Sequence, residues 1–369
     1  MLDPSEPLNQ PFLDAVSAAI SSFLDGQDRV LTSLSPTLTP LIDRARLFTS
    51  GGKRLRPAFC AWGHVAAGGE PDLRPGIVAV AASLDLLHVS ALLHDDVMDA
   101  SDQRRGVPSA HRQFAADHAS ADWRGGSAAF GRAAAILLGD LLLVWSEEMV
   151  RRSGLDAEDL DRARADLEAL RTEVTAGQYL DIVAQAQEPA VLARTPEGRA
   201  ELMALIRSVV TWKAASYTVR RPLLVGATLA GASPEAAEAL TAFGQPLGRA
   251  FQYRDDVLGV FGSTDLTGKT SGEDLREGKL TLLIAEGFAR ATPTQAAELA
   301  TLVGNPDLTP DQVERARAIL LECGALAAVE AEIDREFGTA LAALETAKLT
   351  ERGRQGLQRL AHRAVRRNF

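Results

Sequence analysis

Apolar residues recur at intervals of three and four through Phe12, Val16, Ile20 and Phe23, which places them on one face of a helix. The same period predicts helices over about 9–32, 37–49, 54–67, 74–101, 127–152, 156–185, 198–219, 234–261, 279–290, 309–322, 325–345 and 351–366. Glycine, proline and polar residues interrupt the pattern at 68–75, 120–126, 185–198, 262–272 and 304–310. These breaks have the length of loops, not of interdomain linkers. No strand ladder, fixed-period repeat or low-complexity tract is legible. The pattern therefore predicts an all-α chain, one domain over 1–369, built as a bundle of long helices.

Composition agrees with that reading. Hydrophobic residues make up 46% of the chain but aromatics only 5%, a balance tilted toward Ala and Leu, which lose little side-chain entropy in a helix. A formal net charge of −10 with no long basic block argues against nucleic-acid partners. Cys60 and Cys323 are the two cysteines, and His64 has no second Cys/His pair with which to build a zinc site. Reduced thiols and a cytoplasmic location are expected. The acidic, proline-bearing start at 1–10 does not resemble a secretory signal, and the apolar stretch 133–145 reads as a buried core helix, not a membrane anchor.

Chemistry concentrates in two acidic stretches. His94-Asp-Asp-Val-Met-Asp99 ends an apolar helix with three carboxylates; Asp95 and Asp99, four apart, share a face and can hold hard cations, while Asp96 points partly aside. About 160 residues on, Phe251-Gln-Tyr-Arg-Asp-Asp-Val-Leu-Gly259 repeats the pair as Asp255 and Asp256, with Gly259 where a third acid would stand. A single acidic helix end is ordinarily a solvated face. Two of them, if they face one another, form an acidic cavity that is strained without metal, and magnesium suits it because it takes few carboxylates and completes its shell with water and phosphate oxygens.

Basic residues accompany both pairs: Arg104 and Arg105 after the first, Lys269 and Lys279 after the second. Upstream, Ser50-Gly-Gly-Lys-Arg-Leu-Arg-Pro57 joins two glycines to three cations at a helix start, an arrangement open to an anion but without the spacing of a nucleotide-binding P-loop. His88 lies two helical turns before Asp95, where it could donate to a second phosphate.

Taken in order, Gly51-Gly-Lys-Arg-Leu-Arg-Pro57, Leu93-His-Asp-Asp-Val-Met-Asp99, Arg104-Arg-Gly106, Gly177-Gln178, Lys213, Phe251-Gln-Tyr-Arg-Asp-Asp256, Lys269 and Lys279 resemble the trans-isoprenyl diphosphate synthase (polyprenyl synthetase) family over about 45–285. The resemblance implies an isoprenoid synthase fold around a deep apolar pocket, usually active as a homodimer. It also implies condensation of isopentenyl diphosphate with an allylic diphosphate (dimethylallyl, geranyl or farnesyl), with three magnesium ions bridged by the substrate. By the same resemblance Asp95, Asp99 and Asp255 bind magnesium, supported by Asp96 and Asp256. Arg104, Lys213, Gln252, Lys269 and Lys279 hold the allylic diphosphate; Lys53, Arg56, His88 and Arg105 hold isopentenyl diphosphate.

Small residues at Ser90 and Ala91, where bulky aromatics shorten products in the family, point to geranylgeranyl diphosphate or a somewhat longer chain. Two departures are Gly259 and Ala214, the latter where the family often carries threonine; Ser216 or Thr218 could replace that hydroxyl. The competing readings are a class I terpene cyclase or head-to-head coupling enzyme, and a noncatalytic partner subunit. The second metal motif of a cyclase is absent and the loop at 51–57 suits a second diphosphate, while all three acids of the first motif argue against a noncatalytic subunit.

Overall fold

A computed structural model of the chain describes residues 1–104, 106–262 and 272–366. Its helices are α1 (Gln10–Leu34), α2 (Thr39–Thr49), α3 (Leu55–Ala66), α4 (Pro75–Met98), α5 (Ala110–Ser120), α6 (Ser127–Arg151), α7 (Ala157–Gln185), α8 (Pro189–Leu192) and α9 (Pro196–Val209). A π-helix (Val210–Arg220) follows, then α10 (Arg221–Leu229), α11 (Pro234–Phe261), α12 (Glu273–Glu277), α13 (Leu282–Arg290), α14 (Pro293–Leu302), α15 (Pro310–Glu322), α16 (Ala325–Thr346) and α17 (Glu351–Val365).

Helix starts follow from local chemistry. Asn9 accepts from the amide of Phe12 and Pro11 sits in the first turn of α1, while Thr292/Gln295 and Thr309/Gln312 close reciprocal capping boxes on α14 and α15.

Contacts divide the chain into two compact units. The first comprises Met1–Arg164, Pro222–Ser233 and Leu349–Leu360. Within it α4 is the central element, packed by α1, α3 and α6, and it is buried over most of its length because most of its residues are apolar. Trp62 of α3, fully buried, donates to the carbonyl of Pro7 at 2.9 Å, and Thr350 donates to the carbonyl of Val65 at 2.7 Å. The second unit comprises Ala165–Arg221, Pro234–Lys348 and Ala361–Phe369, with α11 at its centre between the π-helix and α16. Paired guanidinium–carboxylate contacts fasten α11 to α16: Arg249 to Glu336 at 3.0 and 2.7 Å, and Arg254 to Glu330 at 2.6 and 2.7 Å.

The structure departs from the sequence reading in several places. The buried stripe of α1 runs through Leu24, with Phe23 half-exposed. Helices α5, α8, α10, α12 and α14 were not anticipated, the helix expected from 279 begins at Leu282, and the helix expected over 198–219 widens into a π-helix from Val210. One two-residue hairpin occurs, Gln103–Arg104 paired with Val107–Pro108. The stretch 133–145 is not a buried core helix: α6 exposes Ile136 by 42%, Leu137 by 60% and Val144 by 62%. By length and composition α4 and α6 both reach the threshold for crossing a membrane, α4 being mostly buried and α6 mostly not.

Candidate active site: two acidic helices and their cations

On α4, His88, Ala91, Leu92, Asp95 and Asp99 are half-exposed while the residues between them are mostly buried, so they form one open stripe with the carboxylates at its C-terminal end. Asp96 faces elsewhere. Its carboxylate is buried to 1% and accepts from Nε of Arg104 at 2.8 Å and from Nη2 of the same guanidinium. Arg104 also lies 3.9 Å from Asp95. A cavity of about 160 Å³ adjoins this pair, lined by Phe48, Val89, Leu93, Asp96, Arg104 and Val107 among others. The chain leaves Asp99 through Ala100 at φ 53, a left-handed turn that ends the helix at the motif.

The loop before α3 turns left-handed at Gly51 (φ 71), Gly52 (φ 90) and Arg54 (φ 51). It leaves Lys53 exposed and Arg56 half-buried, with Arg54 turned inward. Ser90 is buried to 2% and donates to the carbonyl of Gly139 on α6 at 2.7 Å, so of the two small residues Ala91 alone lies on the open stripe.

In the second unit, Lys213 projects from the π-helix and its ammonium meets Asp181 of α7 at 2.5 Å. Gly177 makes this approach possible: a Cβ there would lie 2.1 Å from the backbone nitrogen of Lys213. Ser216 and Thr218, each 1% exposed, are not at a surface, and Ser216 donates to Glu173, so neither stands in for the hydroxyl missing at Ala214.

On α11, Asp255 is half-buried and Asp256 buried, with Gln252 donating to Asp256 at 2.8 Å. The helix itself offers no third carboxylate, as its sequence indicated, but α12 brings one beside it. A Cβ at Gly259 would meet the Asp274 carboxylate at 1.8 Å, so Asp274 occupies the space an acid at 259 would take. Burial pushes the Asp256 carboxyl up to about 8, opposed by the Gln252 hydrogen bond and reinforced by the charges of Asp274 and Asp255. Lys279 sits 3.6 Å from Glu277. Arg105 and Lys269 lie outside the described residues.

Sequence reasoning did not assign roles to Asp181, Asp85 or Asp274. Asp181 had a signal: it follows Gly177 by four residues, on the same face of α7.

The donors are carboxylate oxygens, which suit magnesium better than zinc, and a cation beside Asp256 would favour its charged form against the burial, and the lesser repulsion from Asp274 and Asp255, that raise its pKa. Among the described residues no cluster of three or more metal-ligating side chains is preformed.

An all-α fold carrying two aspartate pairs, each with cationic companions, defines a class of metal-dependent diphosphate-binding enzyme. A model of the polyprenyl synthetase family matches residues 42–320, and the chain belongs to that family. It is a magnesium-dependent trans-prenyltransferase with the isoprenoid synthase fold. It is 32% identical over 282 residues to a short chain isoprenyl diphosphate synthase of Methanothermobacter thermautotrophicus, covering 76% of this chain and 77% of that one. With the geranylgeranyl diphosphate synthase of Methanosarcina mazei it shares 31% over 302 residues, 81% and 82% of the two chains. The crystal structure of geranylgeranyl pyrophosphate synthase from Corynebacterium glutamicum, complexed with isoprenyl diphosphate and magnesium, superposes with a TM-score of 0.90 at 37% identity, covering 97% of this chain and 99% of that one.

Proposed function

We propose that the protein condenses isopentenyl diphosphate head-to-tail with an allylic diphosphate to give geranylgeranyl diphosphate or a somewhat longer trans-polyprenyl diphosphate. The observation that carries this reading is the open stripe of α4, where Ala91, a side chain too small to close a hydrocarbon channel, lies one turn below Asp95. In this reading Asp95, Asp99 and Asp255 would hold magnesium, three ions in all, beside the allylic diphosphate, and Asp96 and Asp256 would support them. Arg104, Lys213, Gln252, Lys269 and Lys279 hold that diphosphate. Lys53, Arg56, His88 and Arg105 hold isopentenyl diphosphate.

Bound magnesium supplies positive charge where the leaving diphosphate gathers negative charge. The cationic side chains add to that field and orient both substrates, so that the allylic carbon–oxygen bond breaks with its electron pair leaving on the diphosphate. The double bond of isopentenyl diphosphate then forms the new carbon–carbon bond, and the proton it loses goes to the departing diphosphate. Apolar walls exclude the water that would quench the cation.

The chain acts as one domain in the cytoplasm and as a homodimer. Support for the dimer comes from α6, whose exposed face carries Phe130, Leu137 and Val144, a stripe that a second copy would cover.

Mass spectrometry of products made from dimethylallyl, geranyl and farnesyl diphosphate, each with isopentenyl diphosphate and magnesium, tests the reading. Products of C20 or longer are expected, and an enzyme that stops at C15 refutes it. Ala91→Phe is expected to shorten the main product by one or more isoprene units. Ser90→Phe is the less informative change, because Ser90 is turned onto the backbone of α6.

A further inference from the structure

We propose that Arg54 is a positioning residue: paired with Asp85, it pins the loop that presents Lys53 and Arg56 against the helix that presents His88. The proposal deepens the substrate reading above and rests on it.

Three observations carry it. Arg54 is a non-glycine residue at φ 51, a conformation that L residues adopt rarely and hold only when their surroundings impose it. Its guanidinium supplies that constraint, donating through Nη1 to Asp85 of α4 at 2.5 Å and through Nη2 to the carbonyl of Thr49, the last residue of α2, at 2.8 Å. Both charged side chains are withdrawn from water, Arg54 to 6% and Asp85 to 7% exposure, so the pair is not a flickering surface contact.

Placement then gives the pair its consequence. Lys53 and Arg56 flank Arg54 in sequence, and His88 follows Asp85 by three residues on the same side of α4. One ion pair therefore fixes the cations of the loop relative to the imidazole of the helix. It also eases a charge problem: of three cations within four residues, the middle one is neutralised by a buried carboxylate, which lowers the repulsion among them.

The discriminating variant is Arg54→Gly, because glycine accepts the left-handed backbone freely and the change removes the anchor without adding strain. Asp85→Asn is the second, keeping shape while deleting charge. In both, KM for isopentenyl diphosphate is expected to rise about tenfold or more, while KM for the allylic substrate and kcat stay within about twofold. The rise in melting temperature caused by isopentenyl diphosphate is expected to be lost, with that caused by magnesium and an allylic diphosphate kept. Arg54→Lys should recover part of the effect.

Three results overturn the proposal: an unchanged KM for isopentenyl diphosphate in folded Arg54→Gly, a parallel rise in both KM values, or failure of both variants to fold, which would make the pair a fold anchor. Absence of condensation by the unaltered chain would instead sink the substrate reading.

Discussion

Glu173 and Asp256 belong to the same compact unit and are treated in opposite ways. Burial alone would raise both carboxyls. At Glu173 that effect is outweighed by Arg221, Ser216 and Arg220, which donate to it and pull the group down to about 2. At Asp256 burial prevails: the amide of Gln252 and the more distant charge of Lys279 oppose it, the carboxylates of Asp274 and Asp255 reinforce it, and the group rises to about 8. A carboxylate that serves the fold is neutralised by the protein's own guanidinium groups. One crowded by other carboxylates is a group whose charged form a bound cation would stabilise.

The sharpest way to break this contrast is to delete one acid from each region. Asp255→Ala is expected to lower turnover about a thousandfold, a size typical of removing a group that stabilises developing charge, while the metal-free protein melts no lower than the unaltered chain. Glu173→Ala should do the reverse. Removing one partner of a buried ion pair strands the other charges and costs about 3–5 kcal/mol of stability. Thermal melts beside initial rates decide the matter, and equal destabilisation by both substitutions would erase the distinction.

A finer probe is Gly259→Asp, which writes a third acid back into α11. Because the Asp274 carboxylate already fills that space, the new side chain must push it out of its place beside Asp255 and Asp256. Activity is expected to fall about a hundredfold, a loss of the size that misplacing catalytic groups by an ångström produces. Adding Asp274→Ala should restore much of it, and the double-mutant cycle measures the coupling directly. If Gly259→Asp alone retains full rate, Asp274 does not hold the place assigned to it.

The same contrast explains what could be read before the structure was known. The first acidic motif was legible because its three carboxylates follow one another on one helix, and the helical period fixed their faces: Asp95 and Asp99 lie on the open stripe, and Asp96 is turned aside. The second was half legible, because its third carboxylate comes from a different helix, fifteen residues beyond a glycine that looked like a gap. Likewise Lys213 was visible but its partner Asp181, 32 residues earlier, was not, and Arg54 was visible without Asp85, 31 residues later. Helix α14 is a different kind of miss, since Thr292 and Gln295 spell its capping box in the sequence itself. Helix α5 is mostly polar, with Phe114 and few other residues buried, so periodicity gave it little weight.

The smallest effect lies in acid. Glu173 in the folded chain titrates near 2, below the ordinary glutamate value of 4.5, so between those values the unfolded chain holds more protons than the folded one. Stability must then increase with pH across that window: the contribution of Glu173 is whole above about 4.5 and is lost as the pH falls through 2. Glu173→Gln carries no titrating proton and lacks this component. Denaturant midpoints of the two proteins should therefore be separated by a constant gap above about pH 5 that narrows steadily toward pH 2. A gap of the same width at both ends would mean that Arg220 and Arg221 do not hold Glu173 ionised, and the distinction between fold-neutralised and ligand-neutralised carboxylates would fail at its firmer side.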